Sequence, residues 1–333
     1  MVLFVYQKSH TSYSLCKTTV LHGYMSRWCE IPSGIPQGSI LGPLLFTLCV
    51  SDIKYCFHNS RILLYADDMK ILKLVSTQSD TKELQGDLDR LVSYCHINKL
   101  ELNVDKCFYV SFTRKNSIIG NGYTFNGVDI SKVTKIKDLG VIFDSKFTFD
   151  SHVDYIIKKA SKALGFIIRN SVHFRSLKPL KVLYCSYVRS HLEYASQVWN
   201  PQYDVYIHRI ESIQAKFLRY LDFRARQFSV DYDHRCNRYH FLPLENRRKV
   251  NDICYLVSVA NGSIDSPELL TNINLYANQN SLRKRPLLHI PFSSTNYRRN
   301  SFSLRSAIMF NSLSPDLHID LFCTSTKDIK KKI

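Results

Sequence analysis

Two adjacent carboxylates, Asp67 and Asp68, stand between the β-prone runs Ile62 to Tyr65 and Met69 to Leu74. Hard divalent cations take anionic oxygen ligands, and a tight turn between strands fixes two such side chains on a rigid support. The flanking Ile62, Leu63, Leu64, Tyr65, Ile71 and Leu72 are apolar or aromatic, so the pair is carried on a core hairpin and not on a solvated loop. Aspartates also populate turns for local hydrogen bonding, so the pair alone leaves both readings open. A second element lies 29 residues before Asp67, counting from Gly38: the run Ser33-Gly-Ile-Pro-Gln-Gly-Ser39, dense in Gly and Pro. Such a loop opening a helix lets backbone approach a ligand closely and offers free N–H groups to an anion. A plain helix-entry loop has the same composition.

The surrounding elements must position these groups. Ile40 to Cys56 is apolar, with Leu41, Leu44, Leu45, Leu48 and Ile53 able to share a helical face. Leu84, Leu88, Leu91, Val92 and Cys95 predict an amphipathic helix, with Thr81 a candidate for its cap. Leu102 to Phe112 and Leu139 to Phe143 read as strands, and Asn126-Gly127 predicts a type I′ hairpin within Tyr123 to Ile130. Three helical patterns follow, over Val153 to Arg169, Ser176 to Leu192 and Val205 to Leu221. In the first, Lys158, Lys159, Lys162 and Arg169 alternate with Ile156, Ile157, Ala160 and Leu164, so one face can pack while others meet phosphate or water.

Composition narrows the partners. The chain has 333 residues, 45% of them hydrophobic, which supports real cores and excludes wholesale disorder. Forty-five Lys plus Arg against 28 Asp plus Glu give a formal charge of +17, which favours a polyanionic partner. No apolar run approaches the roughly 20 residues of a membrane helix, and no membrane partner is expected. The ten cysteines form no Cys-x-x-Cys pair and read as buried thiols in a reducing compartment. With no signal peptide visible, an intracellular location in cytoplasm or nucleus is expected. His234, Cys236 and His240 are too irregularly spaced for a zinc site.

Ser33-Gly-Ile-Pro-Gln-Gly-Ser-Ile-Leu-Gly-Pro-Leu-Leu-Phe46 followed by Leu64-Tyr-Ala-Asp-Asp-Met69 resembles the central motifs of reverse transcriptases of non-LTR retrotransposons, notably the jockey-like class. The likeness continues through Leu84 to Asp89, Asn98 to Asn103 with Lys106 and Cys107, Leu139 to Asp144 with Phe149 and His152, and His191 to Pro201. The resemblance implies an α+β chain. A partial polymerase palm, an antiparallel sheet with helices, would span 1–145. An α-helical thumb-like region (146–225) and a mixed, basic carboxy-terminal extension (226–333) would follow.

By the same resemblance, Asp67 and Asp68 take the catalytic metal positions and Tyr65 lies near the primer 3′ end. Pro36, Gln37, Gly38 and Ser39 form the loop against template and incoming nucleotide, and Lys106 approaches the nucleotide phosphates. The implied chemistry is nucleotidyl transfer with two Mg²⁺ ions, on an RNA template and DNA primer with a dNTP as substrate. Lys158, Lys159, Lys162 and Arg169 are candidate contacts to the nucleic-acid backbone.

One departure stands out. The family's further aspartate, upstream of the Gly-Pro-Gln loop, has no counterpart: no aspartate precedes Asp52 and Glu30 is the single acid in the first 51 residues. The chain reads as amino-terminally truncated, and little or no polymerase activity is expected of it by itself. The alternative is a non-catalytic nucleic-acid-binding relic of a mobile element.

Overall fold

The computed structural model describes the chain except residues 1, 9–14, 19, 32–39, 116–118, 120–121, 228–230, 277–285, 314–316 and 333. It divides into two compact units, Met1–Thr148 and Phe149–Ile333, of mixed α+β character.

The first unit opens with β1 (Val2–Lys8), followed by two small antiparallel ribbons. In these β2 (Leu15–Lys17) pairs with β5 (Cys29–Ile31), and β3 (Val20–Leu21) pairs with β4 (Tyr24–Met25). Helix α1 (Gly42–Cys49) carries a proline in its first turn, where a missing N–H costs nothing. A 3-10 turn, Ile53–Cys56, follows. Of the expected apolar face only Ile53 is buried; Leu41, Leu44, Leu45 and Leu48 are exposed.

Strands β6 (Arg61–Tyr65) and β7 (Asp68–Leu72) form the carboxylate hairpin, and β7 pairs on its other side with β1. The long helix α2 (Gln78–Ile97) lays Leu84, Leu88, Leu91 and Cys95 against Met69 and Ile71. Its cap is Thr77, in a reciprocal capping box with Asp80. Thr81 is instead buried in the first turn, where its hydroxyl donates to the Gln78 carbonyl at 2.7 Å.

Past α2 the expected strand over 102–112 is interrupted. Strand β8 (Glu101–Leu102) and β9 (Phe108–Val110) both pair with β1, separated by a 3-10 turn at Val104–Lys106. Strands β10 (Thr124–Phe125) and β11 (Val128–Asp129) make the Asn126-Gly127 hairpin, with both turn residues at positive φ as type I′ demands. Strand β12 (Ser131–Lys132) joins the sheet parallel to β9, giving the order β12-β9-β1-β7-β6. The last hairpin pairs β13 (Lys135–Asp138) with β14 (Val141–Asp144). Leu139, expected in a strand, is a turn residue with φ 43°, and Gly140 follows at 88°.

The second unit is helical. Helix α3 (Asp150–Asn170) buries Val153, Ile156, Ala160, Leu164 and Ile167. Helix α4 (Lys178–Leu183) runs through a π-helical stretch, Tyr184–Arg189, into α5 (Ser190–Glu193), matching the single pattern over 176–192. Short α6 (Ser196–Trp199) leads to α7 (Asp204–Ala225), whose Phe217 stacks on Tyr184 at 4.1 Å between ring centroids. Then come α8 (Tyr232–Tyr239), α9 (Leu244–Ala260), α10 (Pro267–Leu270), α11 (Asn296–Arg299), α12 (Phe302–Asn311) and α13 (Thr326–Lys332). The core around Ile253, Leu256 and Val257 of α9 takes in Phe310 of α12 and Ile329 of α13. No helix among the described residues is long and apolar enough to cross a membrane.

Candidate functional site

Strand β7 alternates. Met69 and Ile71 point into the core and are buried, so Asp68, Lys70 and Leu72 must lie on the opposite face. Across the hairpin Tyr65 pairs with Asp68 and Leu63 with Lys70, which puts the 64%-exposed Tyr65 ring on that same face. The connection is only two residues long, Ala66-Asp67. Ala66 adopts φ 52°, a conformation that glycine accepts freely and alanine resists by about 1 kcal/mol. Asp67 is therefore thrown to the exposed tip while Asp68 opens the strand, half-buried.

Burial and then the negative charges of Asp67 and Asp138 hold the Asp68 carboxyl above its ordinary pKa, with Lys70 acting the other way. A carboxylate crowded by like charge gains from any added cation. The Lys70 ammonium is committed to Asp138, at 2.7 Å. No ion pair involves Asp67 or Asp68 among the described residues.

On the other flank of Asp68 runs β1, with Tyr6 opposite it in register. Residues 2–8 contain no acid. No cluster of three or more His, Cys, Asp or Glu able to hold a metal occurs among the described residues. The two carboxylates thus fit one edge of a divalent cation's oxygen shell and no more.

Lys106 ends the 3-10 turn between β8 and β9, exposed, on the side of β1 away from β7. Pro36, Gln37, Gly38 and Ser39 lie outside the described residues; helix α1 begins at Gly42. In the second unit, Lys158, Lys159, Lys162 and Arg169 are all exposed on α3, and the Lys159 Nζ lies 4.8 Å from the Tyr155 ring centroid.

Several residues singled out by sequence are structural. His152 is buried edge-on to Trp199 at 5.1 Å, and burial pushes its pKa down to about 4. The indole N–H of Trp199 donates to the Tyr194 carbonyl at 2.7 Å, and Glu193 accepts from Arg247. Within the expected basic extension, Lys249 pairs with Glu245 one turn away on α9 at 2.6 Å, and Arg248 is buried with its Nε on Asn200. Cys236 is buried beside the Gln214 amide, and burial pushes its thiol pKa up.

Sequence reading missed two residues of the first unit. Asp138 reaches the carboxylate hairpin only through tertiary pairing, which no local pattern reports. Asp87, on the inner side of α2, is fully buried and accepts from the backbone N–H groups of His58 and Asn59, both at 3.2 Å, and from Arg90. Its position between Gly86 and Leu88, in phase with the apolar stripe, was the available signal.

Residues 5–143 match the reverse transcriptase (RNA-dependent DNA polymerase) family, whose members generally use divalent metal ions. The chain is 30% identical over 210 residues to the RNA-directed DNA polymerase from mobile element jockey of Drosophila melanogaster, covering 59% of this chain and 22% of that protein. It is 27% identical over 205 residues to the probable RNA-directed DNA polymerase from transposon X-element of the same species, covering 60% and 22%. A retrovirus-related Pol polyprotein from type-1 retrotransposable element R1 of Nasonia vitripennis matches at 26% over 153 residues, covering 41% and 43%. The chain spans about a fifth of the length of the first two relatives, at 22% in each case.

Proposed function

We propose, from the premise that residues 5–143 are a reverse transcriptase domain homologous to those of non-LTR retrotransposon RNA-directed DNA polymerases, that the first unit is the palm of such a polymerase. In this reading Asp67 and Asp68 hold Mg²⁺, Tyr65 supports the primer 3′ end, and the Pro36 to Ser39 loop meets template and nucleotide. Lys106 faces nucleotide phosphate. The observation that carries it is the hairpin itself: an exposed Asp67 at the tip, and Asp68 across from an exposed tyrosine on a sheet face whose other side is core.

Asp67 and Asp68 would hold the divalent cations, whose charge would serve to activate a 3′-hydroxyl and stabilise a leaving pyrophosphate. The protein's own part is positional. Core packing of Met69 and Ile71 fixes β7, and the short turn fixes the two carboxylates relative to Tyr65. The exposed Lys158, Lys159, Lys162 and Arg169 of α3 suit a thumb-like helix that contacts phosphates without reading sequence.

A second reading has its own support. With no cluster of three metal-ligating side chains among the described residues and no acid on β1, the chain binds a primed template and extends it weakly or not at all. Primer extension on a primed RNA template with Mg²⁺ and Mn²⁺, alongside binding at increasing salt, separates the two. Salt-sensitive binding without synthesis selects the non-catalytic reading. Robust synthesis abolished by Asp68→Asn selects the polymerase, and absence of binding overturns both.

A further inference from the structure

We infer that Asp138 is a positioning residue that keeps the Lys70 ammonium off the Asp67–Asp68 carboxylates, leaving that pair open to a divalent cation. The inference rests on the reading of the pair as a cation site. Lys70 follows Asp68 by two residues on β7 and therefore emerges from the same face of the sheet, roughly 7 Å along the strand. A lysine stem can span that distance, so the nearest available counter-ion for the carboxylates is built into their own strand. An ammonium seated there would occupy the position a metal needs.

Instead the Lys70 Nζ lies 2.7 Å from Asp138 Oδ2, with the two side chains only 14% and 15% exposed. The acceptor is rigidly held. Asp138 closes the β13–β14 hairpin opposite Val141, at a two-residue Leu139-Gly140 turn whose positive φ values specify a type I′ geometry. Ile136 and Val141 are buried, and Ile136 packs on Val110 of β9, so the hairpin is anchored to the sheet and not free to swing. Asp138 also adds negative charge beside Asp68, where it favours any incoming cation. Neutralising it would do two things at once, releasing the lysine and weakening the local field.

The test is Mn²⁺ titration of the full chain at neutral pH, read by the electron paramagnetic resonance signal of free Mn²⁺. Four proteins are compared: wild type, Asp138→Asn, Lys70→Gln and the double variant, with circular dichroism to check folding. Asp138→Asn is expected to weaken Mn²⁺ binding about tenfold, and adding Lys70→Gln to recover most of that loss. A merely structural role makes the double variant as weak as the single one or weaker. That result, or an unchanged affinity in folded Asp138→Asn, overturns the inference.

If Asp138→Asn does not fold, Lys70→Gln decides alone. It should bind Mn²⁺ at least as tightly as wild type, and tenfold weaker binding by the folded variant is contrary to the inference. Asp67→Asn tests the underlying reading separately. If its Mn²⁺ affinity equals that of wild type, the pair is not a cation site and the role of Asp138 falls with it. If Asp67→Asn abolishes binding while Asp138→Asn leaves it unchanged, only the positioning role is lost.

Discussion

Asp252 in the second unit and Asp68 in the first are both carboxylates on regular elements facing a cationic side chain, yet their surroundings differ in kind. Asp252 is fully buried on α9 and grips Arg305 through both oxygens, at 2.9 and 3.3 Å, while Arg305 also donates to the carbonyls of Asn300 and Gln197. Asp222 is held likewise by Arg235, Arg238 and Tyr239. Each of these charges has its counter-charge inside the fold. Asp68 has a lysine two residues away, but that lysine is taken by another acid, and Asp67 is at the surface. Charge that is balanced within the fold supports structure, whereas charge left over is available for a ligand.

The contrast can be broken at its strongest point. Asp252→Ala leaves the Arg305 charge buried without its partner and should cost the second unit about 3–5 kcal/mol in denaturant unfolding. Asp67→Asn, in contrast, should change first-unit stability by less than about 1 kcal/mol, because an exposed carboxylate has little to lose. If both variants unfold equally early, the distinction between structural and available carboxylates is wrong.

Acid pH sharpens the comparison between the units. His152 is buried neutral with its pKa pushed down to about 4, against about 6.5 when unfolded. The unfolded state therefore takes up the proton first, and second-unit stability should decline as pH falls from about 6.5 towards 4. Burial alone would raise the Asp87 pKa, but the Ser60 hydroxyl, then the backbone N–H groups of His58 and Asn59 and the Arg90 guanidinium, bring it below the ordinary value. Its contribution is complete above an unfolded pKa of about 4 and is lost as pH falls through the lower folded value. The first unit should thus begin its acid loss at lower pH. Trp199 fluorescence in a Trp28→Phe background reports the second unit, and hydrogen exchange along α2 the first. Asp87→Asn should flatten the first unit's acid limb.

Smaller effects test local geometry. Thr77→Ala removes the α2 cap and should destabilise the first unit by about 1 kcal/mol. Ala66→Gly relieves a positive φ at the carboxylate turn and should be stabilising by about 0.5 kcal/mol in equilibrium unfolding. Destabilisation by that change would show the turn to be held by something other than its backbone preference.

Much of this arrangement was legible along the chain. The period of α2, the Asn126-Gly127 turn and the three long helical patterns of the second unit each depend on neighbours in sequence, and the structure contains them. The hairpin flanking Asp67 and Asp68 was legible for the same reason. The misreadings share a cause. Leu139 looks like a strand residue, but the following glycine and the pairing of Asp138 with Val141 make it a turn. The contacts of Arg247 with Glu193 and of Arg248 with Asn200 join residues about fifty positions apart, so no local pattern reports them. The Lys70–Asp138 pair joins residues 68 apart and leaves no local trace.

The alternation along β7 also bears on how errors in this chain would be expressed. Met69 and Ile71 read the core while Asp68 and Lys70 occupy the opposite face, so a slip of one residue in pairing would drive two charges into the packed interior and expose two apolar side chains. Misassembly at the carboxylate hairpin is thereby converted from a functional fault into a folding fault. Molecules with a misregistered site would not persist as well-folded but defective copies, since the core that secures the strand also proofreads the position of its aspartate.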